Sequence, residues 1–152
     1  MISKIYIASD HAGFEYKEML KPFLRDLGHA VEDLGPLKMD ENDDYPDFIS
    51  LAAKAVSVNP ENSRGVILGG SGQGEAIVAN RFPNVRAAVY YGGNTGIVVK
   101  SREHNNSNIL SLGARFISKE EAQDAVKLWL ETEFPQEERH LRRIGKIEKY
   151  PN

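Results

Sequence analysis

Short apolar runs alternate with longer stretches of helical periodicity along this chain, and turn residues separate them. Lys4-Ile5-Tyr6-Ile7-Ala8-Ser9 reads as a strand. From Phe14 to Leu27, apolar residues fall at 16, 19, 20, 23, 24 and 27, the spacing of an amphipathic helix that Gly28 stops. Pro22 lies inside that pattern and predicts a bend, or a break near Lys21. Ala30 to Leu34 reads as a second strand. Tyr45-Pro46 opens a helix through Val56, with proline near its first position. Gly65 to Leu68 is a compact apolar run of the kind that forms a buried strand, and Glu75 begins an alanine-rich helical segment. Asn84 to Tyr90 gives a fourth strand, a helix follows Gly92-Gly93-Asn94-Thr95 and reaches Arg102, and Asn108 to Leu112 gives a fifth strand. Ser118-Lys119-Glu120-Glu121 is a capping box for a helix over 120–131 that buries Ala122, Ala125, Val126 and Trp129. Residues 136–148 form a last, more polar helix.

Strands alternating with helices at this spacing predict one α/β domain spanning residues 1–152. Its expected form is a three-layer αβα sandwich around a five-stranded parallel sheet, Rossmann-like or flavodoxin-like. In such sheets ligands bind beyond the carboxyl ends of the strands. Asp10-His11, Gly69 to Glu75, and Tyr90 to Thr95 all follow strands, so they are expected to share one rim and make a pocket.

Composition narrows the function classes. The 152 residues, 41% of them hydrophobic, suffice for one filled core. A net charge of −3 argues against nucleic acid or an anionic membrane as the main partner. The absence of cysteine removes disulfides, thiolate metal sites and a thiol nucleophile. No apolar run approaches the ~20 residues of a membrane span, and no signal-peptide pattern is seen at the N-terminus, so a soluble cytoplasmic protein is expected. Asp40, Glu41, Asp43 and Asp44 lack the glycine and distal glutamate of a calcium loop and read as a solvated acidic loop, with no metal expected.

The candidate chemistry centres on Gly69-Gly70-Ser71-Gly72-Gln73-Gly74-Glu75. Strand, glycine loop and helix is the arrangement in which backbone N–H groups converge on an anion. A nucleotide-binding P-loop would carry Lys followed by Ser or Thr after the last glycine, and a dinucleotide fingerprint would read G-x-G-x-x-G; this loop has neither. A carboxylate at that point repels phosphate. It suits a neutral carbon acid, whose proton Glu75 would remove while N–H groups hold the oxyanion. The alternative is a tight turn with a solvated glutamate favoured by the helix dipole. A helix-start position predicts that Glu75 is held ionised, as a comparatively weak base.

Seven ordered segments then fall in register with one family: Asp10-His11-Ala12-Gly13-Phe14, Asp44-Tyr45-Pro46, Gly69 to Glu75, Ala79-Asn80, Arg102-Glu103-His104-Asn105-Asn106, Gly113-Ala114-Arg115 and Arg139-His140-Leu141-Arg142-Arg143. The chain resembles, from end to end, the type B ribose-5-phosphate isomerases and their galactose- and allose-6-phosphate relatives. That family has one variant with a cysteine just before the glycine loop and another with a glutamate after it. Gly69 stands at the cysteine position here, so the chain resembles the carboxylate variant.

The resemblance implies an aldose–ketose isomerase that works through a cis-enediolate without metal or organic cofactor. It implies Glu75 as the C–H base and the N–H groups of Gly70, Gly72 and Gly74 as part of an oxyanion hole. Ser71 is the implied proton relay, though a hydroxyl bonded to its own loop is the alternative. His104 is implied in ring opening, and His11 in phosphate binding or a share of ring opening. Asp10 would hold a sugar hydroxyl or orient a histidine, Asn105 would bind substrate, and Tyr45 would line the sugar. Arg115, Arg139 and Arg143 are the implied phosphate ligands; the last two lie i, i+4, so a helix projects both from one face. Their alternative is a solvated basic face paired with Glu137, Glu138 or Glu148, and Arg142 is the spare. The resemblance further implies a homodimer or a dimer of dimers, with sites shared between subunits and the C-terminal helix contributing. Six-carbon aldose phosphates and a non-catalytic phosphosugar- or nucleotide-binding module are the competing readings.

Overall fold

The structure, a computed structural model, describes residue 2 and residues 4–151. Among these, the elements run β1 (Lys4–Ser9), α1 (Phe14–Asp26), β2 (Val31–Asp33), α2 (Tyr45–Val58), β3 (Ser63–Gly69), α3 (Gln73–Ala79), β4 (Ala87–Tyr90), α4 (Gly96–Glu103), β5 (Ile109–Gly113), α5 (Lys119–Glu131) and α6 (Glu138–Ile147). The five strands pair in parallel in the order β2-β1-β3-β5-β4. The expected three-layer α/β architecture is therefore present.

Period-two alternation on the strands divides the core. Ile5, Ile7, Val66, Leu68, Leu110 and Leu112 point to one face, where they meet Leu20 and Leu24 of α1, Val98 of α4, and Val126 and Trp129 of α5. Ala8, Ile67 and Ile109 point to the other, against Ile49, Ala53 and Val56 of α2 and Ala79 of α3. Every residue of β3 is buried, as its unbroken apolar run requires of a central parallel strand.

Several boundaries differ from the sequence expectation. Helix α1 runs without a break through Pro22. Pro22 is exposed, so the Glu18 carbonyl that loses its partner lies on the solvent face. Leu27 falls outside α1 and is exposed. β2 is only three residues long, at the sheet edge. β4 begins only at Ala87, and the Arg86 N–H just before it is held by the Asn108 side chain (2.8 Å). At the start of α5 the Ser118 hydroxyl accepts the Glu121 N–H (3.1 Å), as the capping box predicts.

Lys17 had no predicted role, yet its side chain is fully buried. Its ammonium donates to Asp33 Oδ2 at 2.6 Å, and Lys21 donates to the same oxygen at 2.7 Å. This network ties α1 to the end of β2.

Candidate active site

Strand order decides which turns meet. Because β5 lies between β3 and β4, the turn after β5 sits beside the glycine loop after β3. The N–H groups of Ala114 and Arg115 donate to the carbonyls of Gly69 and Gly70 (2.8 and 3.1 Å). Asp10, Tyr45, Gly70, Ser71, Gly74, Glu75, Arg115 and Phe116 line a cavity of about 450 Å³ at the carboxyl ends of β1, β3 and β5. The expected third cluster, Tyr90 to Thr95, does not line it. β4 is an edge strand, and Arg115-Phe116 after β5 takes that place.

The loop geometry fits its sequence. Gly72 caps α3 at φ +78°, a conformation that L side chains rarely adopt. It backs the loop and does not line the cavity: the Ser111 hydroxyl donates to its carbonyl at 2.7 Å. The Tyr45 ring lies over Gly74, and the Arg115 side chain lies over Gly70. The Ser71 hydroxyl accepts the Gln73 N–H at 3.3 Å, the local bond of the alternative reading, and keeps its own proton free to donate.

Glu75 is only 4% exposed and sits in the third position of α3. Burial pushes its carboxyl above the usual range; the nearby Asp10 adds to this, while the N–H groups of Gly72 and Glu75 itself work against it. This corrects the expectation from its helix-start position. Desolvation outweighs the dipole, and the raised value makes Glu75 a stronger base. Asp10, itself buried, accepts the Gly13 N–H at 3.1 Å, which fixes its carboxylate at the cavity wall.

His11 lies beside the cavity and pairs with a different carboxylate from the one expected. Its Nδ1 is 2.7 Å from Asp43 Oδ1, which also accepts the His11 backbone N–H at 3.1 Å. That hydrogen bond raises the imidazole above its ordinary value, burial opposing. The acidic loop is thus not wholly solvated, since the Asp43 side chain is 5% exposed. Ligand atoms of Asp10, His11 and Asp43 lie within 4.8 Å of one another, and among the described residues this is the one histidine–carboxylate trio that could hold a metal ion.

His104, Asn105, Arg139 and Arg143 do not line the cavity of their own chain. His104 caps the C-terminus of α4 and stacks on His140 of α6, centroids 4.4 Å apart and planes 18° from parallel. Asn105 borders a separate cavity with Asn80 and Glu148. Arg139 donates to Glu137 at 3.0 Å and Arg142 to Glu138 at 2.7 Å, so part of the basic face is paired as the alternative predicts. Arg143 is exposed and forms no ion pair among the described residues.

Sequence reasoning missed three residues. Asp43 was hidden in an acidic run, and nothing in the pattern marked Phe116. His140 stood inside the Arg139 to Arg143 segment, where its burial against His104 could have been read only with α4 and α6 in place.

Comparison with known proteins places the whole chain among one group of relatives. A sequence profile described as Ribose/Galactose Isomerase matches residues 5–147. Ribose-5-phosphate isomerase B of Mycobacterium tuberculosis (strain H37Rv) is 37% identical over 147 residues, covering 97% of this chain and 89% of that protein. The probable ribose-5-phosphate isomerase B of Mycoplasma genitalium is 38% identical over 150 residues, covering 99% and 97%. Among solved structures, ribose-5-phosphate isomerase B from Mycoplasma genitalium with bound ribulose-5-phosphate superposes with a TM-score of 0.93, at 37% identity, over 99% of this chain and 97% of that one. The enzyme of Clostridium thermocellum superposes with a TM-score of 0.88 at 42% identity, over 96% and 95%. With a profile match over nearly the whole chain and relatives of this identity and coverage, the chain belongs to the ribose/galactose isomerase family.

Proposed function

We propose that the protein interconverts ribose 5-phosphate and ribulose 5-phosphate through a cis-enediolate, with Glu75 as the base. The observation that carries this reading is a carboxylate buried in the cavity wall, beside a hydroxyl and a glycine loop, with its pKa raised by that burial. A binding module for phosphosugars or nucleotides has no use for such a group, which costs stability and repels phosphate.

Glu75 takes the proton from C2 of the open-chain aldose, and the electron pair moves to the C1 carbonyl oxygen. The N–H groups of Gly70 and Gly74, the loop glycines that line the cavity, stabilise the developing oxyanion. Ser71 passes the O2 proton to O1. The protonated Glu75 then delivers its proton to C1, leaving the carbonyl at C2. Atoms and charge balance without an electron acceptor or a metal, so no cofactor enters the scheme. Asp10 and Tyr45 hold the sugar, and Arg115 with His11 meets the phosphate.

Ring opening by His104 and the second part of the phosphate site, Arg139 and Arg143, are assigned to a second copy of the chain in a homodimer. Two observations support that reading. These residues are absent from the cavity of their own chain, and Phe116, 63% exposed at the cavity, packs edge-on against the exposed Tyr91 ring to leave an apolar patch at its mouth.

The test is turnover by the purified chain of ribose 5-phosphate, allose 6-phosphate and galactose 6-phosphate, each with and without EDTA. Preferred conversion of ribose 5-phosphate, unchanged by EDTA, is expected. Preference for a six-carbon substrate would move the reading within the family, and loss with EDTA would point to a metal on Asp10, His11 and Asp43.

A further inference from the structure

A second polar cavity, of about 320 Å³, opens at the amino-terminal rim of the sheet, the end away from the glycine loop. Three arginines reach it from different elements: Arg64 from the start of β3, Arg86 from just before β4, and Arg102 from α4. Arg64 and Arg102 are buried, 9% and 3% exposed, and neither forms an ion pair with a carboxylate among the described residues.

Their bonding differs. Arg102 is committed to the fold: its Nε donates to the Thr132 carbonyl (3.1 Å), and its Nη1 to Asn106 Oδ1 (2.8 Å) and the Ser107 carbonyl (2.5 Å). Arg86 is neutralised by Glu148 at 2.7 Å. Arg64 lies over the Trp129 ring, 5.3 Å from its centroid, and its hydrogen bond to the Trp129 carbonyl is a long 3.5 Å. Most of its five N–H donors are therefore left for whatever fills the cavity.

The local charge is unbalanced. Burial lowers Arg64 to about 10. Burial, together with repulsion from Arg64 and Arg86, lowers Arg102 to about 9. Burial lowers the nearby His29, and repulsion from Arg64 adds to it. Glu61 and Glu133 line the cavity as well, but both are exposed and neither is bonded to a guanidinium. A buried, uncompensated cation is costly unless an anion meets it.

We infer that this cavity is a second anion site, built for a tetrahedral oxyanion: free phosphate, or the phosphate of a phosphomonoester. Arg64 supplies the open guanidinium fork, and Arg102 supplies fixed positive charge behind it. The site is separate from the Glu75 cavity and stands whether or not the isomerase reading holds.

The test is an NMR titration of the arginine side-chain N–H resonances in the ¹⁵N-labelled full chain. Sodium phosphate, glycerol phosphate and sodium chloride are compared at matched ionic strength. Saturable shifts at Arg64 and Arg102 with phosphate or glycerol phosphate, absent with chloride, are expected; the stronger of the two ligands tells free phosphate from the ester. These shifts should persist in Arg115→Met, which disables the other site, and Arg64→Gln should weaken them roughly tenfold or more. Shifts that never saturate, that chloride reproduces, or that vanish in Arg115→Met would overturn the inference. So would undiminished affinity in Arg64→Gln. If that variant does not fold, the wild-type titration against chloride decides alone.

Discussion

Gly69 and Glu75 compete for one space: a Cβ built on Gly69 would fall inside the Glu75 carboxylate, overlapping Oε1 and Cδ. A side chain at position 69 and the Glu75 carboxylate therefore cannot both occupy this geometry.

The first prediction follows directly. Gly69→Ala should push the carboxylate off its position and lower kcat on the order of 10²–10⁴, the range for loss of a general base. Its circular dichroism should be unchanged. Adding Gly69→Ala to Glu75→Gln should cost little more, because both act on one group. A Gly69→Ala enzyme with wild-type kcat would show that the carboxylate position is not needed.

Burial of Glu75 has a stability consequence. Its folded pKa is raised above the ordinary 4.5, so the folded state holds this proton more tightly than the unfolded state does. The contribution to stability is fully present below the unfolded value and is lost as pH rises through the folded one. Glu75→Gln should therefore melt above wild type at pH 7, by about 2–4 °C per kcal/mol gained for a chain of this size. The gap should close as pH falls below about 4.5. Melting curves across pH check this.

Asp33 behaves in the opposite sense. Lys17, Lys21 and the Gly35 N–H all donate to it, holding its pKa below the ordinary carboxylate value against the effect of burial. Its stabilisation is present above the unfolded value and lost as pH falls through the folded one. Asp33→Asn should cost about 3 kcal/mol at pH 7, since it strands the buried Lys17 ammonium with only the more exposed Glu18 beside it. Denaturant midpoints measure the loss, and kcat should hardly change.

Sharing of the site between subunits can be tested by mixing two inactive chains, Glu75→Gln and His104→Ala. Random pairing into dimers should restore roughly a quarter of wild-type activity, because half the dimers carry one intact site. A mixture that stays inactive would place the whole site within one chain.

Much of the scaffold was legible in the sequence, because burial on both sides of β3 and the amphipathic spacing of α1 and α5 are one-dimensional patterns. The strand order was not. Nothing local says that β5 inserts between β3 and β4, and that insertion is what brings Arg115 and Phe116 to the cavity in place of Tyr90 to Thr95. Glu75 was legible as chemistry, but its environment was misjudged: a helix start predicts a solvated anion, and only the packing around Gly69 reveals a desolvated one. His11 was found and its partner missed, since Asp43 resembles its acidic neighbours until the loop folds over β1. Burial of Lys17 was equally invisible, because its counter-ion lies 16 residues away on another element.

The most direct test of the central claim is kcat for ribose 5-phosphate isomerisation by Glu75→Gln, measured on protein whose fold matches wild type by circular dichroism. A fall on the order of 10²–10⁴ is predicted. Turnover equal to wild type would contradict the assignment of Glu75 as the base.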